Sequence, residues 1–63
     1  MKYEVAVQMA DKSIMRISCH YTELNTEHNV RFMWDKDYKF ICCTWEDNVV
    51  SVEYVEHDSY GAT

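Results

Sequence analysis

Tyr3-Glu4-Val5-Ala6-Val7-Gln8-Met9, at residues 3–9, sets Tyr3, Val5, Val7 and Met9 on one side of an extended chain and Glu4, Ala6 and Gln8 on the other. A period of two belongs to a half-buried strand, because successive strand side chains point to opposite faces. The same period recurs after a polar stretch at Asp11-Lys12, where Met15, Ile17, Cys19 and Tyr21 alternate with Arg16, Ser18 and His20. A three-residue loop at Asp11–Ser13 folds the two runs into a hairpin, with Met9 opposite Met15, Val7 opposite Ile17 and Val5 opposite Cys19.

Residues 22–29 lose the alternation and hold one aliphatic residue, Leu24, so they read as a loop with at most one helical turn. Val30, Phe32 and Trp34 then alternate with Arg31 and Met33, and residues 38–45 are apolar on both faces, as a central strand is. A loop at Asp35–Asp37 pairs Trp34 with Tyr38, Phe32 with Phe40 and Val30 with Cys42, giving a continuous aromatic face. For residues 49–56 the register is open between a two-residue turn at Asp47-Asn48 and a longer loop; the longer one sets Val50, Val52 and Tyr54 beside Thr44, Cys42 and Phe40. Five short strands in order predict an all-β domain over residues 1–56, with a frayed tail at 57–63. The expected architecture is a five-stranded antiparallel meander curling into a small open barrel or twisted sheet, SH3-like or OB-like. Its core face is Tyr3, Val5, Val7, Met9, Met15, Ile17, Cys19, Val30, Phe32, Trp34, Phe40, Cys42, Val50, Val52 and Tyr54.

Composition bounds the rest. Sixty-three residues leave no room for a second core, and 48% hydrophobic residues are too many for a disordered tail. Charges interrupt every apolar run before membrane-spanning length, and no basic, apolar and small-residue sequence of a secretory signal opens the chain, so the expected compartment is the cytoplasm. Three cysteines, Cys19, Cys42 and Cys43, are expected as reduced packing thiols: adjacent strand residues point apart, and one cysteine is always left over.

Eleven acids against six bases give a net charge of −5, which opposes the electrostatic attraction that dominates non-specific nucleic-acid binding. The excess lies wholly downstream: Asp35, Asp37, Glu46, Asp47, Glu53, Glu56 and Asp58 face only Lys36 and Lys39. Such an end either keeps the protein soluble or steers it toward a basic partner.

Little in the chain carries covalent chemistry. The single glycine, Gly61, offers no glycine-rich oxyanion or phosphate loop, and so short a chain has little volume for a deep pocket. No enzymatic activity and no cofactor are expected. Cys19-His20, Cys42-Cys43, His28 and His57 have metal-ligating atoms but lack the spacing of a zinc site, so no metal is expected either.

Under the favoured register Met33, Ile41, Cys43, Trp45, Val49 and Val55 lie opposite the core, forming more apolar surface than a small monomer leaves wet. The expected function is therefore protein binding, with homodimerisation through this face. Met33, Ile41, Trp45, Val49 and Val55 provide the apolar contact, and Asp35, Asp37, Glu46, Asp47, Glu53 and Glu56 the charge. An inhibitor or antagonist of a partner or host enzyme fits these features, the acids standing in for nucleic-acid phosphates. Size and charge are analogous to phage-encoded inhibitors, without identifying a family. The alternative is a barrel that binds single-stranded nucleic acid or a small ligand on its aromatics, disfavoured because residues 38–56 hold only Lys39 as a base.

Overall fold

A computed structural model describes residues 2–55; Glu56 and the tail expected at 57–63 lie outside the described residues. The strands are β1 (Tyr3–Gln8), β2 (Ile14–Cys19), β3 (Tyr21–Asn25), β4 (Val30–Trp34), β5 (Phe40–Trp45) and β6 (Val49–Tyr54), with a 3-10 turn at Glu46–Asn48. They form two antiparallel sheets of three strands, ordered β2-β1-β6 and β3-β4-β5. The protein is all-β, as the alternation implies. It is not a five-stranded meander, and neither sheet closes: β6 leaves its neighbour in sequence and returns to pair with β1, Val5 opposite Val52 and Tyr3 opposite Tyr54. The question of how residues 49–56 register against 38–45 therefore falls away. Among the described residues no helix is long and apolar enough to cross a membrane.

Two hairpins use one turn chemistry. The Met9 N–H donates to the Ser13 carbonyl and the Lys12 N–H to the Met9 carbonyl, with Lys12 in the left-handed region at φ 73°. In the second, the Asp35 N–H donates to the Lys39 carbonyl and the Tyr38 N–H to the Asp35 carbonyl, with Tyr38 at φ 63°. Each is a three-residue loop whose last residue is left-handed, a geometry that continues the right-handed twist of the strands. The loops are thus Ala10–Lys12 and Lys36–Tyr38, one residue earlier and one later than the sequence predicts. In the first hairpin Val7 faces Met15 and Val5 faces Ile17, a shift of two that leaves the faces unchanged.

The expected loop at 22–29 is mostly strand. Tyr21–Asn25 pairs with Val30–Trp34, Tyr21 opposite Trp34 and Asn25 opposite Val30, around a four-residue turn at 26–29. The Asn25 side chain accepts the His28 N–H at 3.0 Å, and Asn29 takes φ 57°, a conformation asparagine tolerates. Polar residues at Thr22, Glu23 and Asn25 mask this strand because it lies at an edge.

The bulges change more. On β5, Met33 faces Cys42 while Trp34 faces Phe40, so Ile41 is an extra residue without a partner on β4. On β6, Ala6 faces Ser51 while Val7 faces Val49, so Val50 is likewise extra. An odd residue reverses which side chains share a face. Val49 therefore turns inward to pack on the core and Val50 outward, the opposite of the expected assignment. On β4 Met33 turns inward, whereas Val30, Phe32 and Trp34, expected in the core, take the other face.

The resulting core is small: Val5, Val7, Cys19 and Met33 are buried together, with Tyr3, Ile17, Cys42 and Val49 packed around them. Met33 has no exposed surface, whereas Trp45 is 62% exposed. Met33→Ala should cost about 3 kcal/mol, in the range for truncating a buried methionine, and Trp45→Ser well under about 1 kcal/mol, as for an exposed position. Urea denaturation of the two variants checks this; equal losses would refute the inward placement of Met33.

Candidate functional site

The register of β3-β4-β5 arranges nine outward side chains in three cross-strand rows. The first is Tyr21, Trp34 and Phe40; the second Glu23, Phe32 and Cys43; the third Asn25, Val30 and Trp45. Phe32 lies 6.0 Å from Trp34 and 6.4 Å from Phe40 between ring centroids, close enough to form one aromatic surface. Phe40 is 57% exposed despite these contacts. The other sheet differs. Its outward residues are Glu4, Ala6, Gln8, Ile14, Arg16, Ser18, Ser51 and Glu53 with the bulge residue Val50, a mostly polar set without a ring, in which Arg16 lies 3.7 Å from Glu4 and Ile14 and Val50 are exposed.

Tyr38 extends the aromatic surface beyond the strands. Its ring stacks on Tyr21 at 4.1 Å and 11°, and the residue is 68% exposed. Hydrogen bonding to Tyr38 pushes the Tyr21 phenol above its ordinary pKa, with the Tyr38 charge, burial and the nearby Asp37 carboxylate adding to the rise. Tyr21, Thr22, Glu23, Trp34 and Tyr38 line an open cleft of about 410 Å3. A bulky residue in the left-handed region is an outlier that its surroundings must sustain; here the turn and the Tyr21 stack do so.

Several acids already have structural roles. Arg31, half-buried on the inner side, forms a two-pronged pair with Glu46, Nε to Oε1 at 2.8 Å and Nη2 to Oε2 at 3.2 Å, while Nη1 donates to Thr22 Oγ1 at 3.1 Å. That pair ties the 3-10 turn to β4. The Asp47 carboxylate accepts the Asn29 side-chain amide at 2.9 Å. Asp35 Oδ1 accepts the N–H groups of Asp37 at 2.8 Å and Lys39 at 2.9 Å. The Lys39 N–H above all, then that of Asp37 and the Lys39 and His20 charges, outweigh burial and hold the Asp35 carboxyl below its ordinary pKa. Asp11 is held down in the same sense by the Ser13 hydroxyl and N–H.

The residues expected to bind a partner are therefore dispersed. Trp45 stands on the aromatic face and Ile41 is the bulge residue beside it, 40% exposed, with the exposed thiol of Cys43 on the same face. Met33 is inside and Val49 packs on the core, so neither presents a side chain to that face. Glu53 and Val55 belong to the other sheet, β2-β1-β6, and its edge, Val55 donating its N–H to the Lys2 carbonyl at 2.7 Å. Asp35 and Asp37 occupy one end of β5 and Glu46 and Asp47 the other, so these acids flank the aromatic sheet instead of forming one stripe. The expected pairs of Trp34 with Tyr38, Phe32 with Phe40 and Val30 with Cys42 are replaced by Trp34 with Phe40, Phe32 with Cys43 and Val30 with Trp45, because the loop lies one residue later and Ile41 bulges. Sequence reasoning also missed Tyr21, Phe32, Trp34, Tyr38 and Phe40 as surface residues, since alternation does not say which face is wet.

Among the described residues no three His, Cys, Asp or Glu side chains gather as a metal site. The thiols differ in kind. Burial foremost pushes the pKa of Cys19 and Cys42 up, whereas Cys43 is exposed. No family model matches the chain, nor does any curated protein or solved structure.

Two outcomes follow from these groups. Maleimide should modify Cys43 first, and Cys19 and Cys42 only on unfolding, because alkylation needs an accessible thiolate; peptide mapping that finds Cys19 labelled first would refute the placement. Asp11 and Asp35 bind protons less readily folded than unfolded, so their contribution is present above the unfolded carboxylate pKa of about 3.9 and is lost as pH falls through their depressed folded values. Urea midpoints should fall below about pH 4, and Asp11→Ala with Asp35→Ala should flatten that fall; an unchanged acid limb in the double variant would refute it.

Proposed function

We propose that the protein is a binding module that grips another protein through the outer face of β3-β4-β5, its negative charge steering a basic partner into place. The observation that carries the reading is the ring-bearing outer face of β3-β4-β5, with Tyr21, Phe32, Trp34, Phe40 and Trp45, whereas the outer face of β2-β1-β6 bears no aromatic ring among the described residues and only Ile14 and Val50 as exposed large apolar side chains. Exposed contiguous aromatic surface is costly in water and typical of interface centres. Flanking acids at both ends of β5 suit an interface whose rim selects the partner by charge. We further read the two sheets as halves of one small open barrel, SH3-like or OB-like in scale, because His20 alone separates β2 from β3 and the 3-10 turn joins β5 to β6.

The biological effect that fits a compact binding module is inhibition or antagonism of the partner. Mimicry of a nucleic-acid backbone draws less support than the aromatic face, since Asp35, Glu46 and Asp47 are engaged within the chain. A second copy is a competing occupant, opposed by the like charge each copy brings. A single strand of nucleic acid would stack on the rings but needs a cationic groove, which eleven acids against six bases oppose, with Arg31 and Arg16 paired with Glu46 and Glu4.

Affinity capture from the native cell tests the reading with two variants. Phe40→Ser with Trp45→Ser should lose the captured protein, while Glu53→Lys on the β2-β1-β6 sheet should retain it; bound partner should also slow Cys43 alkylation. Retention by the aromatic variant with loss by Glu53→Lys would overturn the choice of face. A concentration-dependent dimer in light scattering that the aromatic variant abolishes would make a second copy the occupant. Saturable quenching of tryptophan fluorescence by polynucleotide at low salt would transfer the face to nucleic acid.

A further inference from the structure

We infer that the cleft between the Tyr21–Tyr38 stack and Trp34 receives an arginine guanidinium of the partner, paired with the Glu23 carboxylate. The inference rests on the protein-docking reading of the same sheet and names the chemistry it selects. Three aromatic residues and one carboxylate converge there: Tyr21, Trp34 and Tyr38 line the cleft with Glu23 and Thr22. Tyr21 and Glu23 share a face of β3, two residues apart, and Trp34 is the direct cross-strand neighbour of Tyr21.

Aromatic faces carry negative charge density and attract cations, most strongly where water is partly excluded. Glu23 is exposed, and among the described residues no ion pair or hydrogen bond engages its carboxylate. Asp37 lies near enough to Tyr21 to raise its pKa, adding a second negative charge beside the rings. The Arg31 guanidinium reaches Thr22 from the inner side but is paired with Glu46, and the Lys39 charge acts on Asp35. A positive ligand is thus the complement of the cleft.

Among cations the geometry favours guanidinium. It is planar and weakly hydrated, so it can lie flat on a ring while its fork meets a carboxylate, whereas an ammonium keeps its water and a quaternary ammonium forms no hydrogen bond. An open cleft with one carboxylate on its wall suits the first of these. Tyr38 gives the site its outer wall from a backbone conformation that glycine would adopt without strain. The Tyr21 stack covers one side of that ring, and most of the residue's surface is left in water for a ligand.

Nuclear magnetic resonance with N-acetyl-arginine amide as probe tests this, because Trp34 and Trp45 each give one indole N–H signal and stand at opposite ends of the sheet. The Trp34 signal should shift saturably while that of Trp45 stays put, and N-acetyl-citrulline amide, the neutral counterpart, should bind about tenfold more weakly or less. Glu23→Gln should weaken the arginine probe about three- to tenfold, and Tyr38→Gly, which keeps the turn, should abolish saturation. Equal responses to arginine and citrulline, equal shifts at both indoles, or an unaltered affinity in Glu23→Gln would each overturn the inference. If the probe fails while Phe40→Ser with Trp45→Ser still loses the captured partner, the cleft assignment alone falls; if that double variant also keeps the partner, the docking reading falls with it.

Discussion

Ile41 has no partner on β4, and this one unpaired residue governs the second sheet. Side chains alternate along a strand, so inserting it brings Cys42 opposite Met33 and Phe40 opposite Trp34. Cys42 and Met33 then meet Val5, Val7 and Cys19 across the interior, and the aromatic residues are left on the outside. Without the bulge, either Cys42 would lose its inward place or Phe40 would leave the row that contains Tyr21 and Trp34. Core and candidate interface are two consequences of the same register.

The interior explains why aromatics lie outside. Sheet β3-β4-β5 presents Thr22, Leu24, Arg31, Met33, Cys42 and Thr44 inward, a set with one long flexible apolar side chain at its centre. Methionine fills an irregular gap with little strain, and cysteine behaves as a small hydrophobe. The Arg31–Glu46 pair closes the end of this layer, with the guanidinium further bound to Thr22. Removing either partner would leave a partly buried charge without its complement, so the pair is a constraint on sequence even where its net contribution to stability is modest.

Alternation made β1, β2, β4 and β6 legible in the sequence, along with both turn regions, because the period of two survives any error in face or loop position; β5 was legible from its apolar run, which implied a central strand where the sheet order β3-β4-β5 makes it an edge. Which face is buried was not legible. Phe32, Trp34 and Phe40 are more hydrophobic in bulk than Met33 and Cys42, and a reading by hydrophobicity puts them in the core. A bulge has no composition of its own, and at Ile41 and Val50 the extra residue is as β-prone as its neighbours. β3 was hidden for another reason: as an edge strand with Thr22, Glu23 and Asn25 it lacks the apolar residues that mark a strand. Of the candidate site, Trp45, Ile41 and Cys43 were legible on the exposed face; Tyr38 was not, since tyrosine is an unusual choice for a left-handed turn position and alternation assigns it to the strand.

Charge and aromatic surface divide their work along this chain. Asp11 and Asp35 fasten the turns, and Glu46 and Asp47 fasten the 3-10 segment, so these acids act within the fold. Glu23 and Asp37 are placed differently, beside the Tyr21–Tyr38 stack and in water. Long-range steering depends on the sum of all these charges, whereas discrimination at contact depends on the few not already satisfied. In the proposed reading, a net charge of −5 attracts the partner and the rows of rings on β3-β4-β5 hold it. The strained turn at Tyr38 connects the two, since it brings an aromatic wall to the side of the sheet where free carboxylates lie.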